Sequence, residues 1–146
     1  MNLKLQTETL KRAGPNLASD RLRTLAPQRL LIVDDNVDLA SSLAMVMTEW
    51  GFEVCTANDG FTALRLARDF DPHIVIADIC MPLMDGFELA RQLRQSHCSQ
   101  ARLVAVTAND SAEFRAQAAL AGFNDFKAKP VDLMELRAAL GAKSSH

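Results

Sequence analysis

Five short strand-like runs, each followed by a segment with helical periodicity, constrain this chain more than anything else in its sequence. Leu30-Leu31-Ile32-Val33 and Ile74-Val75-Ile76-Ala77 are continuous apolar stretches with no polar alternation. That is the pattern of a parallel strand covered on both faces. After the first run, Asn36 is placed to cap a helix in which Ala40, Leu43, Met47 and Trp50 form one stripe, and Gly51 stops it. A strand from Phe52 to Thr56 follows, then a helix from about Gly60 to Phe70 with Ala63, Leu66, Ala67 and Phe70 inward.

The same alternation continues to the end. Pro72 precedes a strand from His73 to Asp78, and Met84 to Gln95 has helical spacing. Arg102 to Thr107 reads as a strand and Ser111 to Ala121 as a helix closed by Gly122. Phe123 to Lys129 contains a fifth strand, and Asp132 caps a last helix with Leu133, Leu136 and Leu140 at core spacing. Strict alternation with short connections predicts a doubly wound α/β fold, a five-stranded parallel sheet with helices on both faces.

Residues 1–28 stand apart as a tail or linker, because Gly14-Pro15 and Pro27 interrupt any continuous helix; a short helix near Ser19 to Leu25 is expected at most. Residues 29–146 form the single domain. The tail carries a net charge of +3 and the remainder −5, and an acidic body argues against nonspecific DNA binding. No apolar run approaches the ~18 residues of a membrane span, and no signal peptide is visible, so a cytoplasmic location is expected. Cys55, Cys80 and Cys98 are widely spaced and outside any CxxC pair, which suits a reducing compartment rather than a disulfide framework or a zinc site. His73, His97 and His146 show no ligand spacing and read as structural or surface residues.

Ligands of such folds bind beyond the carboxyl ends of the strands. The first strand ends in Asp34-Asp35, the third in Asp78, the fourth in Thr107 and the fifth in Lys129. Three carboxylates at one rim repel each other, and one lysine offsets one charge, so a divalent cation is implied. All-oxygen ligands open to solvent suit Mg2+. Asp78 is then the candidate nucleophile for an aspartyl-phosphate, with Thr107 and Lys129 placed to hold phosphoryl oxygens.

Leu30-Leu31-Ile32-Val33-Asp34-Asp35-Asn36, Asp78-Ile79-Cys80-Met81-Pro82-Leu83-Met84-Asp85-Gly86, Val106-Thr107-Ala108 and Lys129-Pro130 together resemble the CheY-like receiver domains of two-component response regulators, over about residues 29–141. The resemblance implies a flavodoxin-like (βα)5 fold. It implies Asp35 as a direct magnesium ligand, Asp34 through water and Cys80 through its backbone carbonyl. Asp78 would be the phosphoacceptor, Thr107 the hydroxyl that closes on the phosphoryl group, Lys129 its counter-charge, and Lys129-Pro130 a cis peptide. Small Ala108 would leave room for the phosphodonor, and Phe126 matches the switch aromatic. Cys80 departs from the polar side chain frequent at its position; with Asn109 it would line the route of attacking water.

The resemblance also implies partners. A histidine kinase or histidine phosphotransfer protein would present phosphohistidine to Asp78, and the fourth helix, fifth strand and fifth helix would form the face that binds targets or a second copy. The few residues after the last helix lead to the expectation that output passes through a partner, whether the chain is a stand-alone regulator or the receiver of a hybrid histidine kinase. Two other readings compete. A haloacid-dehalogenase-like phosphohydrolase also uses an aspartyl-phosphate but carries Asp-x-Asp, which Asp34-Asp35 and Asp78-Ile79-Cys80 do not supply. A pseudo-receiver scaffold would never be phosphorylated, a reading the intact acidic set disfavours.

Overall fold

The computed structural model describes residues 26–141; the short helix expected near Ser19 to Leu25 lies outside them. Strands β1 (Arg29–Val33), β2 (Glu53–Ala57), β3 (Ile74–Asp78), β4 (Arg102–Thr107) and β5 (Asp125–Ala128) alternate with helices α1 (Val37–Glu49), α2 (Gly60–Phe70), α3 (Gly86–Arg94), α4 (Ala112–Ala121) and α5 (Leu133–Ala139). They form one sheet in the order β2-β1-β3-β4-β5, every pairing parallel. The expected doubly wound α/β architecture is what the chain adopts.

The continuous apolar strands serve both layers at once. Leu31, Val33, Val75, Ala77, Leu103 and Ala105 point to the side covered by α2, α3 and α4, where Ala63, Ala67, Leu89, Leu93 and Ala118 meet them. Leu30, Ile32, Ile74, Ile76, Val104 and Val106 point the other way, against Ala40, Leu43 and Met47 of α1, Leu136 of α5 and its C-cap Leu140. Successive strand residues face opposite sides, so each run must be apolar throughout. Fully burying one such leucine, isoleucine or valine is worth about 1.5–3 kcal/mol, and all twelve strand residues are at most 2% exposed.

Side-chain caps set the helix starts. Asn36, Asp59, Asp85, Ser111 and Asp132 each accept a hydrogen bond from a backbone N–H of the first turn. The cap at Asp85 corrects the expected start of α3 at Met84. Leu83 takes φ 71° and Asp85 accepts from the Glu88 amide at 2.9 Å, so helical geometry begins only at Gly86. Two expected core positions also move outward. Leu133 is 40% exposed because it opens the first turn of α5, and Trp50 is the C-cap of α1, half-buried under the Arg137 guanidinium.

Gly86 fixes how the β3–α3 loop returns to the sheet. Its amide donates to the Ile79 carbonyl at 2.8 Å, and an added Cβ would stand 2.6 Å from both the Asp78 carbonyl oxygen and Ile79 Cα. Those neighbours are backbone and cannot rotate aside. Gly86→Ala is therefore expected to lower stability by about 1–3 kcal/mol, read as a drop in Tm. An unchanged melting curve would show that the loop yields at no cost.

Candidate functional site at the carboxyl rim

The sheet register assembles the site. Val33 pairs with Ala77, so Asp34 lies one step beyond β1 beside Asp78 at the end of β3. Asp78 pairs with Val106, placing Thr107 one step further along β4, and Thr107 pairs with Ala128, placing Lys129 just past β5. Each apolar strand thus ends in a polar group on the same rim. The Lys129 amide also donates to the Thr107 carbonyl at 2.9 Å, which ties the last two tips together.

Lys129 Nζ stands 3.1 Å from Asp34 Oδ2 and 3.2 Å from Asp78 Oδ2. A single ammonium, which offsets one charge, is shared between two carboxylates. The remaining oxygens have local donors. Asp34 Oδ1 accepts from the Asn36 amide at 2.9 Å, and Asp78 Oδ1 from the Cys80 amide at 3.2 Å. Asp35 is exposed, yet one ligand atom each of Asp34, Asp35 and Asp78 falls within 4.8 Å of the others.

The electrostatics are unbalanced. Asp34 and Asp78 are 3% and 5% exposed, a burial that two carboxylates sharing one ammonium do not tolerate easily. Burial raises the Asp78 pKa above the ordinary 3.8; Lys129 opposes this and the Asp34 charge adds to it. For Lys129, burial alone would lower the pKa, but its contacts with Asp34 and Asp78 outweigh it and the net shift is upward. The two directions agree: the ammonium has two partners, whereas each carboxylate has a share of one.

The donor chemistry fits a hard divalent cation. Carboxylate oxygens from three residues meet at the rim, and their charge exceeds that of Lys129 by two units when all are ionised. Cys80 is exposed above the site, and its Sγ lies 3.5 Å from the buried Thr107 hydroxyl. The Asn109 amide approaches the same hydroxyl at 3.4 Å. Ala108 is exposed beside it. Phe126 is half-buried against the core beneath α4, with the Arg115 guanidinium 4.6 Å from its ring centre.

Sequence reasoning did not single out two residues that shape this rim. Asn58 Nδ2 donates to the Asp34 carbonyl at 3.0 Å, bracing the acidic turn from the β2–α2 loop. Gly86 allows the β3–α3 loop to pass against the Asp78 backbone. Gly86 had a signal, its place in the Met84-Asp85-Gly86 stretch; Asn58 had none, since only the β1–β2 pairing brings it close.

Comparison with known proteins agrees with this geometry. The profile of the response regulator receiver domain family matches residues 30–141. Regulatory protein AtoC of Escherichia coli is 39% identical over 111 residues, covering 76% of this chain and 24% of that protein. Response regulator MprA of Mycobacterium sp. strain KMS is 39% identical over 116 residues, 80% of this chain and 50% of that protein. The chain thus spans a quarter to a half of the length of these two relatives. Among solved structures, Vibrio cholerae chemotaxis protein CheY4 superposes with a TM-score of 0.76 at 29% identity, covering 80% of this chain and 98% of that one. These similarities favour neither the phosphohydrolase nor the scaffold reading. The chain belongs to the receiver domain family of two-component response regulators.

Proposed function

We propose that Asp78 is the phosphoacceptor of this receiver, working with Mg2+ held at the carboxyl rim. The observation that carries this reading is the buried Asp34–Lys129–Asp78 bridge with Asp35 alongside. It is a site with more negative charge than its own cation offsets. Asp35 and Asp78 would hold the metal directly, Asp34 through water, and Cys80 through its backbone carbonyl. When bound, magnesium supplies the positive charge that neutralises the phosphoryl oxygens.

The chain's own groups perform the rest. A carboxylate oxygen of Asp78 attacks the phosphorus of a phosphohistidine presented by a histidine kinase or phosphotransfer protein. The O–P bond forms as the P–N bond breaks, and the electron pair stays on the imidazole nitrogen, which is reprotonated by solvent. Lys129 turns from a carboxylate oxygen to a phosphoryl oxygen. Thr107 leaves a weak 3.5 Å contact with Cys80 Sγ to donate to another.

Movement of Thr107 draws on the space beside Phe126, whose ring rests under Arg115 rather than deep in the core. Phe126 turning inward would bias a pre-existing equilibrium on the face formed by α4, β5 and α5, where an output protein or a second copy docks. The exposed Cys80 side chain and Asn109 border the approach of hydrolytic water to Asp78.

Three outcomes test this. Asp78→Asn abolishes magnesium-dependent labelling by acetyl phosphate; labelling that persists assigns the acceptor elsewhere. Because the folded-state pKa of Asp78 is raised above 3.8, its contribution to stability is fully present below the unfolded pKa and lost as pH rises through the folded value. At neutral pH the metal-free Asp78→Asn variant should therefore melt above the wild type, and Mg2+ should raise the Tm of the wild type more than that of the variant. Equal melting in both conditions contradicts the electrostatic account. Lys129→Met should cost the metal-free protein about 2 kcal/mol, between the values for exposed and buried pairs. Added Mg2+ should recover part of that loss in a thermal melt.

A further inference from the structure

A second group of ligating side chains lies at the opposite end of the sheet. Asp71, His97 and Cys98 each offer one donor atom, all within 4.8 Å of one another. Cys98 Sγ is 3.6 Å from His97 Nε2, and His97 Nε2 is 3.9 Å from Asp71 Oδ1. Asp71 precedes β3, whose far end is Asp78, so about 20 Å of extended chain separates this group from the phosphoacceptor. The two sites are independent.

We propose that Asp71, His97 and Cys98 form a three-ligand site for a zinc ion, with water in the fourth position. Metal–ligand lengths of about 2.3 Å to sulfur and 2.0–2.2 Å to nitrogen or oxygen, at tetrahedral angles, put sulfur and nitrogen about 3.6 Å apart and nitrogen and oxygen about 3.4 Å apart. The sulfur–nitrogen pair already matches. The nitrogen–oxygen pair must close by roughly 0.5 Å, a small rotation for two side chains that are about half exposed.

The surroundings hold the three donors in place. Asp71 caps α2 in the left-handed region at φ 52°, its amide donating to the Ala67 carbonyl at 2.9 Å. Cys98 Sγ donates weakly to that same carbonyl at 3.7 Å, which places the thiol beside the end of α2; the contact is given up when the proton leaves on metal binding. The Cys98 amide donates to Ser96 Oγ at 3.0 Å, which shapes the turn that presents His97 and Cys98 side by side. Arg29 steadies the carboxylate from behind: its Nε donates to the Asp71 carbonyl at 2.9 Å, and its guanidinium lies 3.6 Å from Oδ2. Oδ1 is left facing His97, the outer-shell arrangement that orients a carboxylate ligand.

The donor set selects the metal. Mixed sulfur, nitrogen and oxygen ligation suits a borderline-soft ion such as zinc and is foreign to magnesium, which takes oxygen. Binding forms a Zn–S bond and releases the Cys98 thiol proton to solvent; no electron transfer is involved. Cys98 is buried at 3% exposure while His97 and Asp71 face water, so the ion would be anchored on the protein side and open on the other. Occupancy would fasten the end of α2 to the α3–β4 loop.

The probe is Co2+ in place of zinc, added to the full chain with saturating Mg2+ to fill the acidic rim. One equivalent should produce the visible bands of tetrahedral cobalt and a near-ultraviolet thiolate charge-transfer band, both reversed by added Zn2+. His97→Ala and Asp71→Asn are exposed positions, and asparagine tolerates the left-handed backbone; each should weaken Co2+ binding by at least about tenfold, as loss of even an outer-shell partner can. Zinc should raise the Tm of the wild type and leave those of the two variants nearly unchanged. No thiolate band, or a band of equal affinity in both variants, overturns the proposal and assigns any binding to Cys55, Cys80 or the rim.

Discussion

One ammonium between two buried carboxylates is the interaction on which the working end of this receiver rests. Lys129 reaches back from the end of β5 to Asp34 and Asp78, spanning the width of β3 and β4. Truncation of the lysine would leave two buried carboxylates facing each other without their shared cation. Addition of a divalent cation would release the lysine for a new partner. The bridge therefore holds two buried carboxylates together, and under the proposed function its charge would pass to the phosphoryl group.

The topology explains why these residues meet. In the order β2-β1-β3-β4-β5, the chain reverses direction across the sheet between β1 and β3. The connections that follow those two strands leave toward opposite faces, opening a crevice at their carboxyl ends. Asp34 and Asp78 sit at that crevice because Val33 and Ala77 pair. Their acidity cannot be shielded by the helices, which have moved aside. The same parallel sheet that buries two apolar layers thus concentrates charge at one edge.

Much of this was legible in the sequence, for a physical reason. A strand covered on both faces must be apolar at every position, so Leu30–Val33 and Ile74–Ala77 announce their environment, and the first polar residue after each marks the rim. Caps such as Asn36 and Asp132 were legible because their side chains act within three residues of themselves. Leu133 misled because helical spacing fits both the core stripe and the exposed first turn of so short a helix. Contacts made across the fold left no local trace. The sharing of Lys129, the brace from Asn58 and the approach of Asp71 to His97 and Cys98 all depend on loops from different strands converging. Three dispersed cysteines outside any CxxC pair hide a ligand group whose third member lies 26 residues upstream of His97.

The contrast between the two ends of the sheet indicates where this fold places its instability. Away from the rim, two arginines close loops with well-matched hydrogen bonds. The Arg94 guanidinium donates to the carbonyls of Ser99, Ala101 and Gly122 and to Asn124 Oδ1, closing the α3–β4 and α4–β5 loops. Arg102 binds the Ala139 carbonyl and Asp125. At the carboxyl rim, by contrast, burial drives Asp78 away from its ionised form, the form that the proposed nucleophilic attack would require. A site satisfied in its empty state would gain little from a cation or a phosphoryl group and could not shift a conformational equilibrium. Under the proposed function, the unmet charge would supply the difference in free energy between states.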